Sequence, residues 1–386
     1  MFRYIVGLSK VLAHALPSAL MATVLLAALA PLTSSGAVAP ASLFPAIVSR
    51  AGASDVLYVL WESPTCNLQR CLRLERSNNG GQTFSAVAVP PVTPVIGYKS
   101  SPIAQMFFAN PSDGYALEYG STGKTWVTTS LFVTFNGGKS WRADQFAPNS
   151  EILTMAASRN YFYATVNRCT TKTAKCRASA LIRTPVSVSR WTRLALPEEI
   201  RRYWIGNVAL AASGPDVWLT VQDQVSSPYS PFLATSHNEG NSFIVRAQPD
   251  LSSVNSCSLT AVSTTVLWAQ CDQGNMQGDI PYSDNGGATW QENQNGLGRF
   301  AFGYFDPISP RADYFINGYH PRVLYRTRGE YSPIRIQGRV PNGSLVSLDF
   351  TNGRQGVALG QGTGGEITNH LWRTDDGGVR WKRIIL

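Results

Sequence analysis

From Phe44 onward, apolar residues fall in short runs separated by turns rich in Gly, Asn, Asp and Ser. The looser runs alternate with a period of two, and others are continuously apolar, as buried strands are. A four-part unit repeats. An apolar strand and a short turn lead into a second apolar strand, often headed by Gly or Asp and an aromatic. A looser third strand and a fourth follow. Phe107-Phe108-Ala109-Asn110-Pro111-Ser112-Asp113-Gly114-Tyr115-Ala116 follows this plan, as do Ala211–Leu219 and Leu348–Ala358. In the first unit the pattern predicts strands at Phe44–Ser49, Val56–Glu62, Cys71–Ser77 and Phe84–Val89. In the last unit it predicts a final strand at Trp381–Leu386.

Between the third and fourth strands stands a recurring octet. Ser283-Asp284-Asn285-Gly286-Gly287-Ala288-Thr289-Trp290 has counterparts beginning at Ser77, Thr134, Ser236 and Thr374. The shared form is Ser/Thr-x-Asn/Asp-x-Gly-x-x-Trp/Phe. It is carried by Asn79, Gly81 and Phe84; Asn136, Gly138 and Trp141; Asn238, Gly240 and Phe243; Asn285, Gly287 and Trp290; and Asp376, Gly378 and Trp381. Asn and Asp bond their own backbone two residues on, and Gly supplies positive φ, so each octet predicts a tight turn. Thr184 precedes Trp191, and Thr327 precedes Ile334, by the same interval without the turn residues. Counting Ser77, Thr134, Thr184, Ser236, Ser283, Thr327 and Thr374 gives spacings of 57, 50, 52, 47, 44 and 47 residues. Seven units of four strands fill residues 43 to 386, which predicts an all-β, seven-bladed β-propeller of four-stranded antiparallel blades. Eight units exceed the available residues, and six would make the Thr184 or Thr327 unit an insertion.

Composition fits this reading. Apolar residues make up 44% and charged residues 15%, with 33 Gly and 23 Pro, a balance that favours short strands and turns over helices. The formal charge of +9 permits an anionic partner. No run of Lys or Arg reaches five, which argues against a nucleic-acid arm. Arg3 and Lys10 precede a mostly apolar stretch over Val11–Leu32, and Ser34, Ser35, Gly36, Ala37 and Ala39 follow. Residues 1–39 thus have the shape of a signal peptide, or of a signal anchor that spans with residues 11–32. The expected location is extracytoplasmic, secreted or at the cell surface, with membrane contact only through this segment. Residues 40–386 would then form the propeller.

Six cysteines fall in three local pairs, Cys66 with Cys71, Cys169 with Cys176, and Cys257 with Cys271. Six cysteines allow fifteen connectivities. Local pairing is the one that fits units folding separately, and the spacings lack the second Cys or His pair of a zinc site. Disulfides are therefore expected, with no metal and no cofactor. Cys257 and Cys271 are symmetric about Thr264, the middle of a hairpin turn, so they should face each other across the first two strands of the fifth unit.

In a propeller the octet turns lie at the end opposite the loops joining second to third strands. Their polar residues then pin turns and their aromatics pack between sheets, so any binding chemistry belongs to the other, upper face. Loops assigned there carry Lys99, Lys124, Arg168, Lys172, Lys175, Arg177, Arg201 and Arg202, opposed by Glu151, Glu198 and Glu199. Tyr203 and Trp204 sit beside Arg201-Arg202, and aromatic-plus-Arg patches anchor interfaces. Lys172, Lys175, Arg177, Arg201, Arg202 and Trp204 are the candidate ligand-binding residues. A glycoside hydrolase would instead need paired carboxylates at the channel mouth. Asp223, Asp272 and Asp349 are the candidates, and no pairing is apparent among them.

The octets resemble the Asp-box of sialidase-type β-propellers, a likeness that extends over nearly the whole chain after the N-terminal segment. The Arg-Ile-Pro motif of sialidases is absent from Phe44–Arg50, and no arginine triad can be assigned. In size and single-ring build the chain is more similar to the photosystem II assembly factor family and its exported bacterial relatives. That resemblance implies a monomeric, non-catalytic binding or assembly scaffold for an extracytoplasmic protein or glycan; the alternative is a divergent sialidase-like hydrolase.

Overall fold

In a computed structural model, seven antiparallel sheets follow one another along the chain. The structure describes residues 44–51, 54–62, 72–92, 103–121, 126–146, 150–169, 176–203, 208–222, 231–247, 256–274, 277–291, 305–309, 312–316, 323–327, 333–339, 344–361 and 369–385. The first sheet contains β1 (Phe44–Arg50), β2 (Leu57–Glu62), β3 (Leu72–Ser77) and β4 (Ser85–Val87). The second contains β5 (Ile103–Phe108), β6 (Gly114–Ser121), β7 (Trp126–Thr134) and β8 (Arg142–Asp144). The third contains β9 (Ser150–Ala157), β10 (Tyr161–Cys169), β11 (Cys176–Pro185) and β12 (Thr192–Arg193), and a short helix, α1 (Glu198–Tyr203), follows it. The fourth contains β13 (Val208–Ser213), β14 (Asp216–Gln222), β15 (Pro231–Ser236) and β16 (Ile244–Ala247). The fifth contains β17 (Ser256–Ala261), β18 (Leu267–Gly274), β19 (Gln277–Asp279) and β20 (Tyr282–Ser283). The sixth contains β21 (Phe305–Ser309), β22 (Ala312–Ile316), β23 (Val323–Thr327) and β24 (Pro333–Arg339). The last contains β25 (Ser344–Phe350), β26 (Gly356–Gln361), β27 (Asn369–Thr374) and β28 (Lys382–Ile384).

The expectation of seven four-stranded blades is corrected here. Six sheets are four-stranded meanders with strands paired in chain order. The fifth is three strands wide, because β18 pairs on one side with β17 and on the other with both β19 and β20. Pro281 lies between β19 and β20, and without an N–H it interrupts a single third strand. Among the described residues after the octet, Gln291 forms an isolated bridge with Tyr282.

Five octets share one hydrogen-bond network. The Ser77 hydroxyl donates to Asn79 Oδ1 at 2.9 Å and accepts from the Gly81 N–H at 2.8 Å, while Asn79 Oδ1 also accepts from the Thr83 N–H at 2.9 Å. The same bonds recur at Thr134/Asn136, Ser236/Asn238, Ser283/Asn285 and Thr374/Asp376. In the third sheet Thr184 keeps part of the role, accepting from the Arg190 N–H at 2.8 Å. Each octet is also tied to the hairpin joining the first two strands of its own sheet, as in Gly80 N–H to Asp55 O (2.8 Å) and Gly286 N–H to Thr265 O (2.7 Å). The octets and these hairpins therefore share one end of the fold.

The octet aromatics pack between sheets. Phe84 joins the cluster of Leu57, Val59, Trp61, Val357 and Leu371, which unites the first sheet with the last. Trp141, Phe243 and Trp290 take equivalent places in the clusters between their own sheets and the preceding ones. The first and last sheets are each built from one continuous stretch, so they meet through side chains and share no strand. Across this seam Arg50 of β1 pairs with Asp349 of β25, and Arg373 Nε–H donates to Gly80 O at 3.1 Å.

In four octets the side chain at the third position donates its amide to a hydroxyl four residues on, at Thr83, Ser140, Ser242 and Thr289. Asp376 has no such donor, and in the last octet Arg380 stands in place of the hydroxyl and donates to Asp376 Oδ2 at 2.8 Å. Burial raises the Asp376 pKa, but hydrogen bonds from Arg380 and Thr374 and the Arg380 charge outweigh it and hold the carboxyl below its usual value. A depressed carboxylate stabilises the fold above its unfolded pKa, near about 4, and loses that contribution as pH falls through the folded value. Asp376→Asn alone should therefore lower stability, and Asp376→Asn/Arg380→Thr should recover it by restoring the pairing of the other octets. A thermal-unfolding double-mutant cycle at pH 7 reads this, and additive losses would contradict it.

Candidate functional site

At the end away from the octets, the second strands end and the third strands begin. Strand length singles out one region of it. The β10 and β11 strands run for 9 and 10 residues and β6 and β7 for 8 and 9, against 6 each for β2, β3, β26 and β27. The register between β10 and β11 continues to its last two pairs, Arg168 opposite Arg177 and Cys169 opposite Cys176. These residues stand at strand ends, where the sequence reading had placed Arg168 and Arg177 in loops.

The segment with Arg201 and Arg202 is likewise helical rather than loop. Pro197 precedes α1, Glu198 and Glu199 occupy its first turn and the arginines its last, the charge order that suits a helix dipole. The Arg201 N–H donates to Pro197 O at 3.1 Å. Ile200 is fully buried with Leu210, Leu219 and Val221, which pins the helix over the third and fourth sheets and leaves Arg201 exposed. Lys99, Lys124, Lys172, Lys175 and Trp204 lie outside the described residues, as do Cys66, Cys71, Asp223 and the N-terminal segment 1–39. No helix among the described residues is long and apolar enough to cross a membrane.

The expected Cys257–Cys271 disulfide is present, between directly opposed residues of β17 and β18. Cys271 is fully buried in the interface between the fourth and fifth sheets, beside Trp218, Leu233 and Trp290.

Two of the candidate carboxylates, Asp272 and Asp349, lie among the described residues. Asp349 is engaged by Arg50, and Asp272 lies on a different sheet, at the β18 position opposite Ser256. Among the described residues no group of three His, Cys, Asp or Glu side chains could hold a metal ion. Apart from Asp376 and Arg380 in the last octet, the groups with displaced pKa values are shifted mainly by burial. Burial pushes Tyr58 up to about 12, with Arg76 acting against it and Asp113 with it. It also raises Tyr115, Tyr163 and Glu75, the last against the pull of Arg73. Glu151, near the upper end of β9, is raised by burial and partly lowered by a hydrogen bond with Asn167.

One set of functional side chains escaped the sequence reading. The carbonyl at the fourth octet position accepts a bond from the preceding sheet: Gly80 O from Arg373, Glu239 O from Arg183, and Gly286 O from Trp218 Nε1 at 3.0 Å. Arg373 and Arg183 each directly precede the octet Ser/Thr, as do Arg76 and Arg326. That recurrence was the signal available in the sequence. In the third sheet, whose turn sequence is eroded, Asp144 of the second sheet accepts from Ser189 and from Trp191 Nε1 (2.8 Å) and holds the turn from outside.

No protein-family model matches the chain, and no curated protein matches it. Among solved structures it is similar to the β-propeller domain of the Trilobed protease from Pyrococcus furiosus, described as having an open velcro topology. The identity is 10%, over 89% of this chain and 98% of that one, with a TM-score of 0.54. The uncharacterized protein lmo1340 from Listeria monocytogenes EGD-e matches at 10% identity over 89% and 95% of the two chains, with a TM-score of 0.49. YCF48 bound to D1 peptide matches at 12% identity over 74% and 81%, with a TM-score of 0.47. At these identities the likeness speaks for fold alone: this chain is a β-propeller.

Proposed function

We propose that the protein is an exported, non-catalytic binding or assembly scaffold that takes an acidic protein or glycan on the end away from the octets. The observation that supports this most is the register that sets Arg168 opposite Arg177 at the end of a long hairpin. Like charges directly opposite one another in a sheet are destabilising. A bound anion removes that cost. Lys172 and Lys175 fall between the two arginines in sequence, so the hairpin concentrates four cations within ten residues, 168–177. Exposed Arg201 on α1 and its neighbour Arg202 add to the same end, and Trp204 offers an apolar anchor beside them. The local cysteine pairs and the signal-like N-terminus support an oxidising, extracytoplasmic location.

The test is salt-dependent retention on immobilised polyglutamate and on heparin. Lys172→Glu/Lys175→Glu/Arg201→Glu should elute at markedly lower salt with an unchanged melting temperature. Lys139→Glu, at the octet end, should elute like the unaltered protein. A Lys139→Glu shift of about a third of the triple variant's, in proportion to the charge reversed, would mean that net charge alone binds, and would remove the hairpin from the account.

A further inference from the structure

We infer that the Cys257–Cys271 disulfide is a redox clasp for the sheet whose third strand is interrupted, so that reduction frees the fifth sheet locally while the other sheets stay folded. Three observations converge on it. Among the described residues, the fifth sheet is the one whose third strand is split, into pieces of 3 and 2 residues on either side of Pro281, and Gln291 after its octet forms an isolated bridge. In each of the other sheets the third strand lies between two neighbours, whereas among the described residues β19 pairs with β18 alone. The disulfide joins the two strands that remain, β17 and β18.

The second observation is where the sulfur atoms lie. Cys271 is fully buried against the fourth sheet, in the cluster that holds Trp218, Leu233, Leu267 and Trp290. The third is that the fourth sheet grips the fifth through the same region. Trp218 Nε1 donates to Gly286 O, and Leu233 packs on Gly287 so closely that an added Cβ would lie 2.4 Å from it. A cross-link closing a short loop limits the unfolded state of that segment. Here it acts on a segment whose third strand is interrupted, and local opening is favoured where ladder bonds are broken. Reduction by a dithiol transfers two electrons and two protons to the cystine, giving two thiols, while the dithiol leaves as its own disulfide. The buried pair then becomes two thiols that no longer fix β17 to β18. The sheet is thus fully formed only in an oxidising compartment.

Amide hydrogen exchange resolves this sheet by sheet. The oxidised protein is compared with dithiothreitol-treated protein and with Cys257→Ala/Cys271→Ala, which leaves the remaining cysteines intact. Protection within residues 256–291 should fall at least tenfold in both, with the Gly81 and Gly138 amides of the first and second sheets unchanged. The inference is overturned by unchanged protection in 256–291, by an equal loss in every sheet, or by failure of the reduced protein and the alanine pair to form the ring at all.

Discussion

Replacing Gly287 with alanine is expected to destabilise the protein by about 3 kcal/mol, while Gly80→Ala should cost about 1 kcal/mol. Both glycines have positive φ, +84° and +63°. A side chain in that region costs on the order of 1 kcal/mol by itself, and Glu239, at φ 62° in the position equivalent to Gly80, shows that the octet tolerates it. The difference lies in the surroundings. Nothing lies within 4 Å of a Cβ built on Gly80, whereas one built on Gly287 meets Leu233 at 2.4 Å. Leu233 is fully buried, so it can yield only by disturbing the interface between the fourth and fifth sheets, and overpacking of this kind adds roughly 1–3 kcal/mol. Gly240 meets Leu194 of the third sheet at 2.6 Å and should behave like Gly287. Denaturant midpoints for the three variants check the ranking; equal losses at Gly80 and Gly287 would show that backbone strain alone governs the turn.

The second large effect is expected at the seam. Asp349→Ala should cost about 2–3 kcal/mol, somewhat less than the roughly 3–5 kcal/mol for breaking a fully buried ion pair. Arg50 and Asp349 retain 17% and 20% side-chain exposure, so solvent screens part of their interaction. The loss arises because the guanidinium stays behind, half-enclosed between the first and last sheets, without its acidic partner. Arg50→Met/Asp349→Leu should recover most of the stability, since apolar groups of similar volume replace such pairs at little cost. A double-mutant cycle by chemical denaturation measures the coupling. Independent, additive losses would mean that the two side chains do not join the first sheet to the last.

Much of the fold is legible because each sheet has its own local punctuation. The hydroxyl, carboxamide and glycines that make the octet recognisable make the bonds that shape it, as at Ser77, Asn79 and Gly81. Even the eroded unit at Thr184 is recovered, since Arg190 still bonds its hydroxyl. The first-sheet strands are found within one or two residues of their predicted ends. The fifth sheet was misread because the octet at Ser283 is intact and announces a fourth strand through Trp290. Trp290 packs as expected, but Pro281 breaks the ladder on the approach, and among the described residues Gln291 alone pairs beyond it.

The contacts between sheets were not legible. Arg373 meets Gly80 across 293 residues of chain and Arg50 meets Asp349 from opposite ends of the fold, and nothing local in either sequence announces its partner. The candidate binding end was readable only as a cluster of cations. The structure adds the strand register that opposes Arg168 to Arg177 and the helix that carries Arg201. Those placements depend on hairpin length and on Ile200 finding the buried interface of its neighbours.

The division of the propeller into a structural end and a binding end is tested most directly by site-specific photo-crosslinking in intact producing cells. A photoreactive residue at position 175 is compared with one at position 139 of the second octet, at the opposite end. The account predicts a discrete crosslinked species from position 175, diminished by Arg168→Glu/Arg177→Glu, and none from position 139. The same species from position 139, or from both positions regardless of the arginines, would contradict it.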